Sequence, residues 1–252
     1  TSHEIQKVEV MDYEVFDRLL DKEAVTAFRN RALNPEHPVT KGTAQNDDIY
    51  FQTREASNKF YNAVPAIVEE YFTAISKETG RDYKLFNYYG APDAERVIIA
   101  MGSVTEALRE TVDYLTAKGE KVGLVAVHLY RPFSAKHLLA AIPASTKKIA
   151  VLDRTKEPGA GGEPLYLDIR NAYFEVENSP IIVGGRYGLS SKDTTPIQMV
   201  AVFDNLKADA PKNGFTVGIE DDVTFLSLPV GEEISVVNDD VRECLFFGLG
   251  SE

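Results

Sequence analysis

The sequence of 252 residues contains no tryptophan and a single cysteine, Cys244. One thiol forms no internal disulfide, and it falls short of the roughly four thiolates that hold an iron–sulfur cluster. The four histidines, His3, His37, His128 and His137, show no metal-ligand spacing with one another or with the cysteine. The sequence therefore predicts no metal centre, and a reducing cytoplasm suits a chain with one free thiol.

Positive charge is also scarce, since 27 Lys and Arg stand against 39 Asp and Glu, for a net charge of −12. An acidic chain repels phosphate backbones, so we expect no nucleic-acid partner. No run of about 18 apolar residues is present, so we expect no membrane-spanning helix. The 44% of hydrophobic residues instead suit a globular protein that buries its core without disulfides.

The two ends of the sequence suggest a piece of a longer protein. The chain begins at Thr1 without a methionine. At residues 246–252 an apolar run meets a glycine turn of the kind that leads a strand into a helix. We therefore expect further polypeptide beyond both ends.

Short apolar runs alternate with amphipathic segments between residues 84 and 206. Continuous apolar runs are typical of strands buried on both faces, and they occur at residues 96–101, 121–129, 148–153 and 180–183. Helices are predicted between these strands. Their ends are indicated by a capping box of Ser103 and Glu106, the C-cap glycine Gly119, the N-cap Ser134, and the pair Thr195 and Pro196. One further helix is predicted at residues 165–174. This alternation predicts an α/β fold with a mostly parallel sheet between helices.

The flanking segments follow other patterns. Residues 12–31 are predicted as one helix. A second helix ends at Gly80, and Pro65 is expected at the start of its main segment because a proline inside a helix breaks it. Residues 207–214 have the composition of a linker, and residues 215–252 hold strand-like runs too short to bury a core alone.

One loop could hold a ligand at the carboxyl edge of the predicted sheet, where open parallel sheets bind ligands. It carries Gly159, Gly161 and Gly162, and glycines let backbone N–H groups approach a phosphate. However, Pro164 stands where a dinucleotide motif needs its third glycine, and no lysine completes a P-loop. A loop shaped to face another domain is the alternative interpretation.

No catalytic constellation is visible in the residues themselves. A Gly-x-Ser-x-Gly nucleophile motif is absent, and the acidic pair Asp221 and Asp222 is typical of a solvated turn. Nothing combines a nucleophile, a base and an orienting group.

Long ordered strings along the whole chain are more specific than any of these motifs. They are TSHEIQK at residues 1–7, GTAQN at 42–46, LYRPF at 129–133, VLDRTKEPGA at 151–160, GGRYGL at 184–189 and FGLGS at 247–251. Together they resemble the pyruvate:ferredoxin (flavodoxin) oxidoreductase family.

The resemblance implies three parts. Residues 1–83 would be the largely helical end of the pyrimidine-binding first domain, and residues 207–252 a linker and the start of a third domain. Residues 84–206 would be a second domain similar to the transketolase C-terminal domain. That domain is a three-layer α/β/α fold with a mostly parallel five-stranded sheet, here preceded by the helical segment. Residues 84–89 would form its antiparallel first strand.

The family converts pyruvate, coenzyme A and oxidised ferredoxin into acetyl-CoA, CO₂ and reduced ferredoxin, with thiamine diphosphate, magnesium and 4Fe-4S clusters. The resemblance implies that the reactive groups lie in other parts of the enzyme, so we predict no catalytic residue, no metal site and no resident cofactor here. Gly248, Gly250 and Ser251 alone match a motif near coenzyme A, and a plain strand-to-helix turn uses the same residues. Glu252 stands where the family has Asp.

The predicted role is therefore a structural, interdomain segment that is inactive in isolation. The implied partners are the remaining domains, ferredoxin or flavodoxin, and a second copy in a homodimeric cytoplasmic parent. Two alternatives stay open. One is a free-standing module that binds a nucleotide or phospho-ligand on the Gly159 loop, and the other is a separate subunit of a related oxoacid oxidoreductase.

Overall fold

The computed structural model of the protein describes residues 8–40, 42–236, 240–242 and 244–248. The chain divides into two compact units, Thr1–Lys84 and Leu85–Glu252. The first unit is helical, and the second contains the sheet.

The first unit buries little apolar surface of its own. Its helices are α1 (Tyr13–Leu19), α2 (Lys22–Asn30), α3 (Tyr50–Ala56) and α4 (Asn58–Thr79). None of the four contains a buried residue, and Phe28 and Phe51 are each 71% exposed. Helical stability in proteins comes mostly from packing an apolar face, so these helices leave much of that stabilisation unused.

Two helix predictions for this unit are wrong. The helix expected over residues 12–31 is interrupted at Leu20, because the Asp21 carboxylate accepts a hydrogen bond from the Ala24 N–H (2.9 Å) and starts a new helix. Pro65 lies inside α4 and not at its start. A proline removes one N–H from the helix ladder, and the turns on both sides tolerate that loss. The predicted end at Gly80 is confirmed by its left-handed φ of 70°.

The second unit is a three-layer α/β/α structure. Its elements are β1 (Phe86–Gly90), β2 (Arg96–Ala100), α5 (Val104–Ala117), β3 (Val122–Val127), α6 (Ala135–Ala141), β4 (Lys148–Asp153), α7 (Pro164–Ala172), β5 (Ile181–Arg186), α8 (Pro196–Asn205) and β6 (Phe215–Thr216). The strand order is β1-β3-β2-β4-β5-β6, with β1 antiparallel to β3 and every other pair parallel. Helices α5 and α8 pack together on one face, and α6 and α7 on the other. The predicted fold class and antiparallel first strand are confirmed.

The sheet has six strands where five were expected, because β6 pairs with β5. Phe215 is completely buried, and its ring lies directly against Gly185. The residues with linker composition lead into this pairing, since the Gly214 N–H donates to the Gly184 carbonyl (2.9 Å). The end of the predicted linker is therefore anchored on the sheet.

The fourth predicted strand is also longer than its apolar run. Strand β5 continues past Val183 through Gly184 and Gly185. A Cβ on Gly184 would lie 2.8 Å from the Tyr166 ring, and one on Gly185 would overlap the Phe215 ring. The glycines thus make room for aromatic rings on the sheet and do not end the strand.

The helix-end signals of this unit hold at Gly119 and Thr195 and fail at two serines. Ser134 precedes α6, but its side chain makes no capping hydrogen bond and instead lies 2.6 Å from His137 Nδ1. Gly119 follows α5 with a left-handed φ of 83°, and Thr195 with Gln198 forms a capping box at the start of α8. Ser103 makes no side-chain cap, so the predicted capping box with Glu106 is wrong. The backbone of Ser103 is helical (φ −62°, ψ −23°), whereas a capping side chain needs an extended backbone.

Candidate functional site

The carboxyl ends of β4 and β5 bring three charged side chains to one edge of the sheet. Asp153 ends β4, Arg186 ends β5, and Glu163 directly precedes α7. Both acids are buried, at 2% and 3% exposure. Open α/β sheets bind ligands at this edge, so the hydrogen-bond and ion-pair partners of these three groups decide whether a ligand could use them.

The Asp153 carboxylate caps helix α7 from the neighbouring strand. Its Oδ1 and Oδ2 accept hydrogen bonds from the N–H groups of Leu165 (3.0 Å) and Tyr166 (3.1 Å). Pro164 begins the helix and has no N–H, so these are the first donors that the helix offers. Burial raises the pKa of Asp153, while the two backbone hydrogen bonds act in the opposite direction. The end of the helix that attracts anions is therefore filled by a carboxylate of the chain itself.

Glu163 and Arg186 form a buried ion pair beside this cap. Arg186 Nη1 lies 3.4 Å from Glu163 Oε1, and Arg186 Nη2 donates to the Gly214 carbonyl (2.7 Å). Lys156 Nζ lies 3.9 Å from the same Glu163 oxygen. Because removal of one partner leaves a buried charge unpaired, these contacts fix the loop before α7 and the segment before β6 onto β5.

Arg154 holds the loop that follows β5. Its Nε donates to the Gly188 carbonyl (2.8 Å), and its Nη2 lies 3.4 Å from Ser191 Oγ. Ser190 and Ser191 have left-handed φ angles of 53° and 58°, which are costly for residues with a Cβ. The Arg154 contacts help to keep this unfavourable backbone in place.

A cavity of about 490 Å³ opens at the same edge, and we call it the edge pocket. Its apolar lining consists of Tyr187, Leu189, Val217, Ile219, Val223 and Leu226. Its polar lining consists of Lys156, Arg186, Lys192, Thr216, Asp221, Asp222 and Thr224, with Gly188 completing the wall.

Asp222 closes the loop that forms one wall of the edge pocket. Its Oδ1 accepts hydrogen bonds from the N–H (2.9 Å) and hydroxyl (2.6 Å) of Thr224, and its Oδ2 accepts one from the Ser227 N–H (2.6 Å). These bonds lower the pKa of Asp222 from 3.8 to about 2. The carboxylate is thus satisfied within its own loop.

We expect this loop to loosen in acid. The pKa of Asp222 is lowered in the folded state, so its contribution to stability is present above about pH 4 and is lost as the pH falls from 3.8 toward 2. Amide exchange at Thr224 and Ser227, corrected for intrinsic rates, should rise in that window. Asp222→Asn should remove this pH dependence, and Asp221→Asn is the matched control. An unchanged exchange profile in the Asp222 variant would show that the carboxylate does not hold the loop.

Of the three residues predicted for coenzyme A, only Gly248 lies within the described residues. Gly248 is exposed and belongs to no helix or strand. Gly250 and Ser251 lie outside the described residues, so their role stays a prediction. The glycine-rich loop precedes α7. Its Gly162 packs against the Tyr166 ring so closely that a Cβ at this position would lie 2.5 Å from a ring carbon.

Sequence reasoning missed the roles of Asp153 and Glu163, because neither acid belongs to a recognised motif. The available signal was an acid at the end of an apolar strand, followed by a helix that begins with proline. It also missed a surface cluster on α7, in which Asp168 accepts hydrogen bonds from the Tyr130 hydroxyl (2.9 Å) and Arg131 Nη2 (2.7 Å).

The donor groups do not fit the metal cofactors that the family resemblance implies. Within the described ranges, no three His, Cys, Asp or Glu side chains are placed to hold a metal ion. The one cysteine is exposed, and an iron–sulfur cluster needs about four thiolates. Across the described part of the chain, no helix combines the length and apolarity that a membrane crossing requires.

Comparisons with known proteins agree over the whole sequence. Residues 1–73 match the family model for pyruvate flavodoxin/ferredoxin oxidoreductase, thiamine diphosphate-binding, and residues 94–199 match that for pyruvate:ferredoxin oxidoreductase core domain II. The chain is 61% identical to a pyruvate-flavodoxin oxidoreductase of Enterobacter agglomerans and 58% identical to one of Klebsiella pneumoniae. It is also 58% identical to a pyruvate:ferredoxin oxidoreductase of Moorella thermoacetica. Each match covers all of this chain and 22% of the relative.

A solved structure is more distant. It is a 2-oxoglutarate:ferredoxin oxidoreductase from Magnetococcus marinus with 2-oxoglutarate, coenzyme A and succinyl-CoA bound. It aligns with 68% of this chain and 27% of its own chain, at a TM-score of 0.39 and 19% identity, which is too low to support an argument. The family models and the high identities carry the assignment: the chain belongs to the pyruvate:ferredoxin (flavodoxin) oxidoreductase family.

Proposed function

We propose that this chain is a structural, interdomain segment of an oxidoreductase that turns pyruvate, coenzyme A and oxidised ferredoxin into acetyl-CoA, CO₂ and reduced ferredoxin. In this proposal the segment is not catalytic by itself. Thiamine diphosphate, magnesium and the 4Fe-4S clusters bind to other parts of the parent enzyme, a cytoplasmic homodimer that reduces ferredoxin or flavodoxin. The chain spans about a fifth of the length of its relatives, which leaves most of the enzyme to those parts.

The observation that carries the proposal is that the charged side chains at the carboxyl edge of the sheet are bonded to groups of the chain itself. Asp153 caps α7, Glu163 pairs with Arg186, and Arg154 holds the Gly188 carbonyl. An active site instead leaves such groups directed at a substrate. Here they rigidify the edge, as a scaffold requires.

The exposed helices of the first unit support the same role. Tyr13 is 91% exposed, and Phe51 and Phe60 are 71% and 66% exposed. Contiguous exposed apolar surface marks an interaction site more often than it marks a free surface. These helices are suited to packing against further polypeptide of the parent enzyme.

The alternative of a free-standing phosphate-binding module is disfavoured by the Asp153 cap. A phosphate at the N-terminus of α7 would compete with that carboxylate for the N–H groups of Leu165 and Tyr166. The ammonium group of Lys156, which could also attract a phosphate to this loop, lies 3.9 Å from a carboxylate oxygen of Glu163. A nucleotide that binds the Gly159 loop in a titration followed by NMR would revive this alternative.

The proposal is tested by one exchange of segments and one titration. In the Enterobacter agglomerans relative, the corresponding segment is replaced by this chain, and we expect the chimaera to oxidise pyruvate, since the two are 61% identical. The purified 252-residue chain should show no heat of binding with micromolar thiamine diphosphate and should form no acetyl-CoA. Thiamine diphosphate binding by the lone chain, or a folded chimaera that loads its cofactors but is inactive, would contradict the proposal.

A further inference from the structure

The loop of residues 219–227, which we call the rim loop, holds apolar side chains in solvent. Val223 is 87% exposed, and Phe225 is 85% exposed. Phe225 also has a left-handed φ of 59°, which is unfavourable for a bulky residue. Backbone strain of this kind persists only where the surrounding contacts enforce it, and it concentrates at sites that have a function. The rim loop is therefore a candidate for an interaction surface.

Polar and backbone contacts hold the rim loop in place without the help of its two exposed apolar side chains. Asp222 closes the loop by accepting three hydrogen bonds from groups of the loop itself. The end of the loop pairs with β6, since the Thr216 N–H donates to the Leu226 carbonyl (3.1 Å). Lys212 Nζ donates to the Phe225 carbonyl oxygen (3.3 Å). A loop that is already ordered in this way loses little conformational entropy when a partner covers it.

Apolar surface continues from the rim loop into the edge pocket. The loop supplies Ile219, Val223 and Leu226 to the lining of this pocket of about 490 Å³, and Leu189 adds a further apolar side chain. Leu189 and Ile219 are 43% and 39% exposed. Contiguous apolar surface in contact with solvent marks an interaction site more often than isolated apolar residues do.

The charges in and beside the edge pocket balance one another. Among the described residues, three cations stand against three carboxylates, which are Lys156, Arg186 and Lys192 on one side and Glu163, Asp221 and Asp222 on the other. Apolar walls without a surplus of charge select no ion. The surface therefore suits an uncharged, apolar partner.

The small extent of this surface indicates a partner that is tethered to the chain. A stable complex of separate proteins uses roughly 20–30 residues on each side, whereas the exposed apolar side chains here are Leu189, Ile219, Val223 and Phe225. A segment of the same polypeptide is present at a high effective concentration, so a small apolar contact is enough to dock it. This chain covers 22% of each of three relatives, so most of such a polypeptide lies outside residues 1–252.

We propose that the edge pocket and the rim loop form a docking surface for an uncharged, apolar segment of the parent polypeptide that lies outside residues 1–252. The segment would place an apolar side chain in the edge pocket and would cover Val223 and Phe225. This inference rests on the proposed function, because it requires the chain to be part of a longer enzyme.

The test compares the 252-residue chain with the chimaera in which it replaces the corresponding segment of the Enterobacter agglomerans relative. Backbone amides of residues 223–227 should exchange hydrogen at least about tenfold more slowly in the chimaera, as the burial of one large apolar side chain allows. p-Benzoylphenylalanine in place of Phe225 of the chimaera should form a cross-link under ultraviolet light. The cross-linked peptide should lie outside residues 1–252 of the same polypeptide.

Variants separate apolar docking from an ionic contact. Val223→Ala combined with Phe225→Ala should remove the protection in the chimaera, because the covering contact is lost. The same pair should leave exchange in the lone chain unchanged, since both side chains are exposed there. Lys192→Gln is the control in the same pocket, and it should leave the protection in the chimaera unchanged, because an uncharged segment does not use the ammonium group.

Equal exchange in the chimaera and in the lone chain would overturn the proposal, as would the absence of a cross-link. A cross-link to a second copy, which doubles the mass on a denaturing gel, would overturn it too, and so would a loss of protection in Lys192→Gln. In an active chimaera these results would leave the proposed function standing, whereas loss of activity in a chimaera that loads its cofactors would contradict the proposed function. If the chimaera does not fold, exchange at the corresponding loop of the unmodified relative decides the comparison.

Discussion

Replacing Phe215 with alanine is expected to lower the free energy of unfolding of the second unit by about 3–5 kcal/mol. Phe215 is fully buried, and it belongs to the apolar cluster that also contains Phe203 and Leu206. Its ring covers Gly185 of the neighbouring strand, so truncation leaves a cavity beside a position that has no side chain of its own. The two residues of β6 would lose their main anchor on the sheet.

The measurement is hydrogen exchange across a urea series, read in peptides from β4 and β5, which reports on the second unit alone. Phe174→Ala is the matched control, because Phe174 is 84% exposed and the same truncation there should change the free energy by less than about 0.5 kcal/mol. If Phe215→Ala costs less than about 1 kcal/mol, β6 is only loosely attached, and residues 207–216 act as the linker that their composition suggests.

This strand shows why the fold has six strands, whereas the apolar runs predicted four and the family resemblance implied five. The interior strands are continuous apolar runs, and β3 buries all six of its residues, so their existence follows from composition alone. Strand β6 has two residues, and residues 207–214 before it are polar and contain proline and glycine. Its place in the sheet comes from a tertiary contact between Phe215 and Gly185, which leaves no periodic signal along the chain.

The helices of the first unit show a different limit of prediction from sequence. The end of α4 at Gly80 follows from the residue type, because a left-handed φ favours glycine. At Asp21 the chain either continues the first helix or caps a second one. An N-cap contributes only about 1 kcal/mol, so the sequence alone does not determine which of the two forms. Amphipathic patterns predict where an apolar face lies but not which surface covers it.

The candidate site was the least predictable part, because its groups come from distant positions in the chain. Asp153 and Leu165 are twelve residues apart, and their hydrogen bond exists only once α7 packs on β4. The glycine-rich loop between them suggested an external anion from its composition. In the fold, the anion at the helix terminus is Asp153 itself.

Removal of that anion is the second large effect that we expect. Asp153→Ala should destabilise the second unit by about 2–4 kcal/mol, because the buried N–H groups of Leu165 and Tyr166 lose their only described acceptor. Asp153→Asn keeps one acceptor oxygen, so its cost should be smaller. Asp209→Ala, at an exposed residue without a described partner, is the control and should lie within about 0.5 kcal/mol of the parent.

The pH dependence of the stability difference between the parent and Asp153→Ala tests how the charge of the Asp153 carboxylate contributes to that difference. Burial raises the pKa of Asp153 above its ordinary 3.8, so the ionised form carries a desolvation cost in the folded state. A group with a raised folded pKa stabilises most below 3.8 and progressively less as the pH rises through the folded value. The gap between the parent and Asp153→Ala should therefore narrow from acid to neutral pH and still favour the parent at pH 7, since the two hydrogen bonds remain. A gap that widens with pH would mean that the hydrogen bonds outweigh burial, and a gap no larger than that of Asp209→Ala would show that α7 does not depend on this carboxylate.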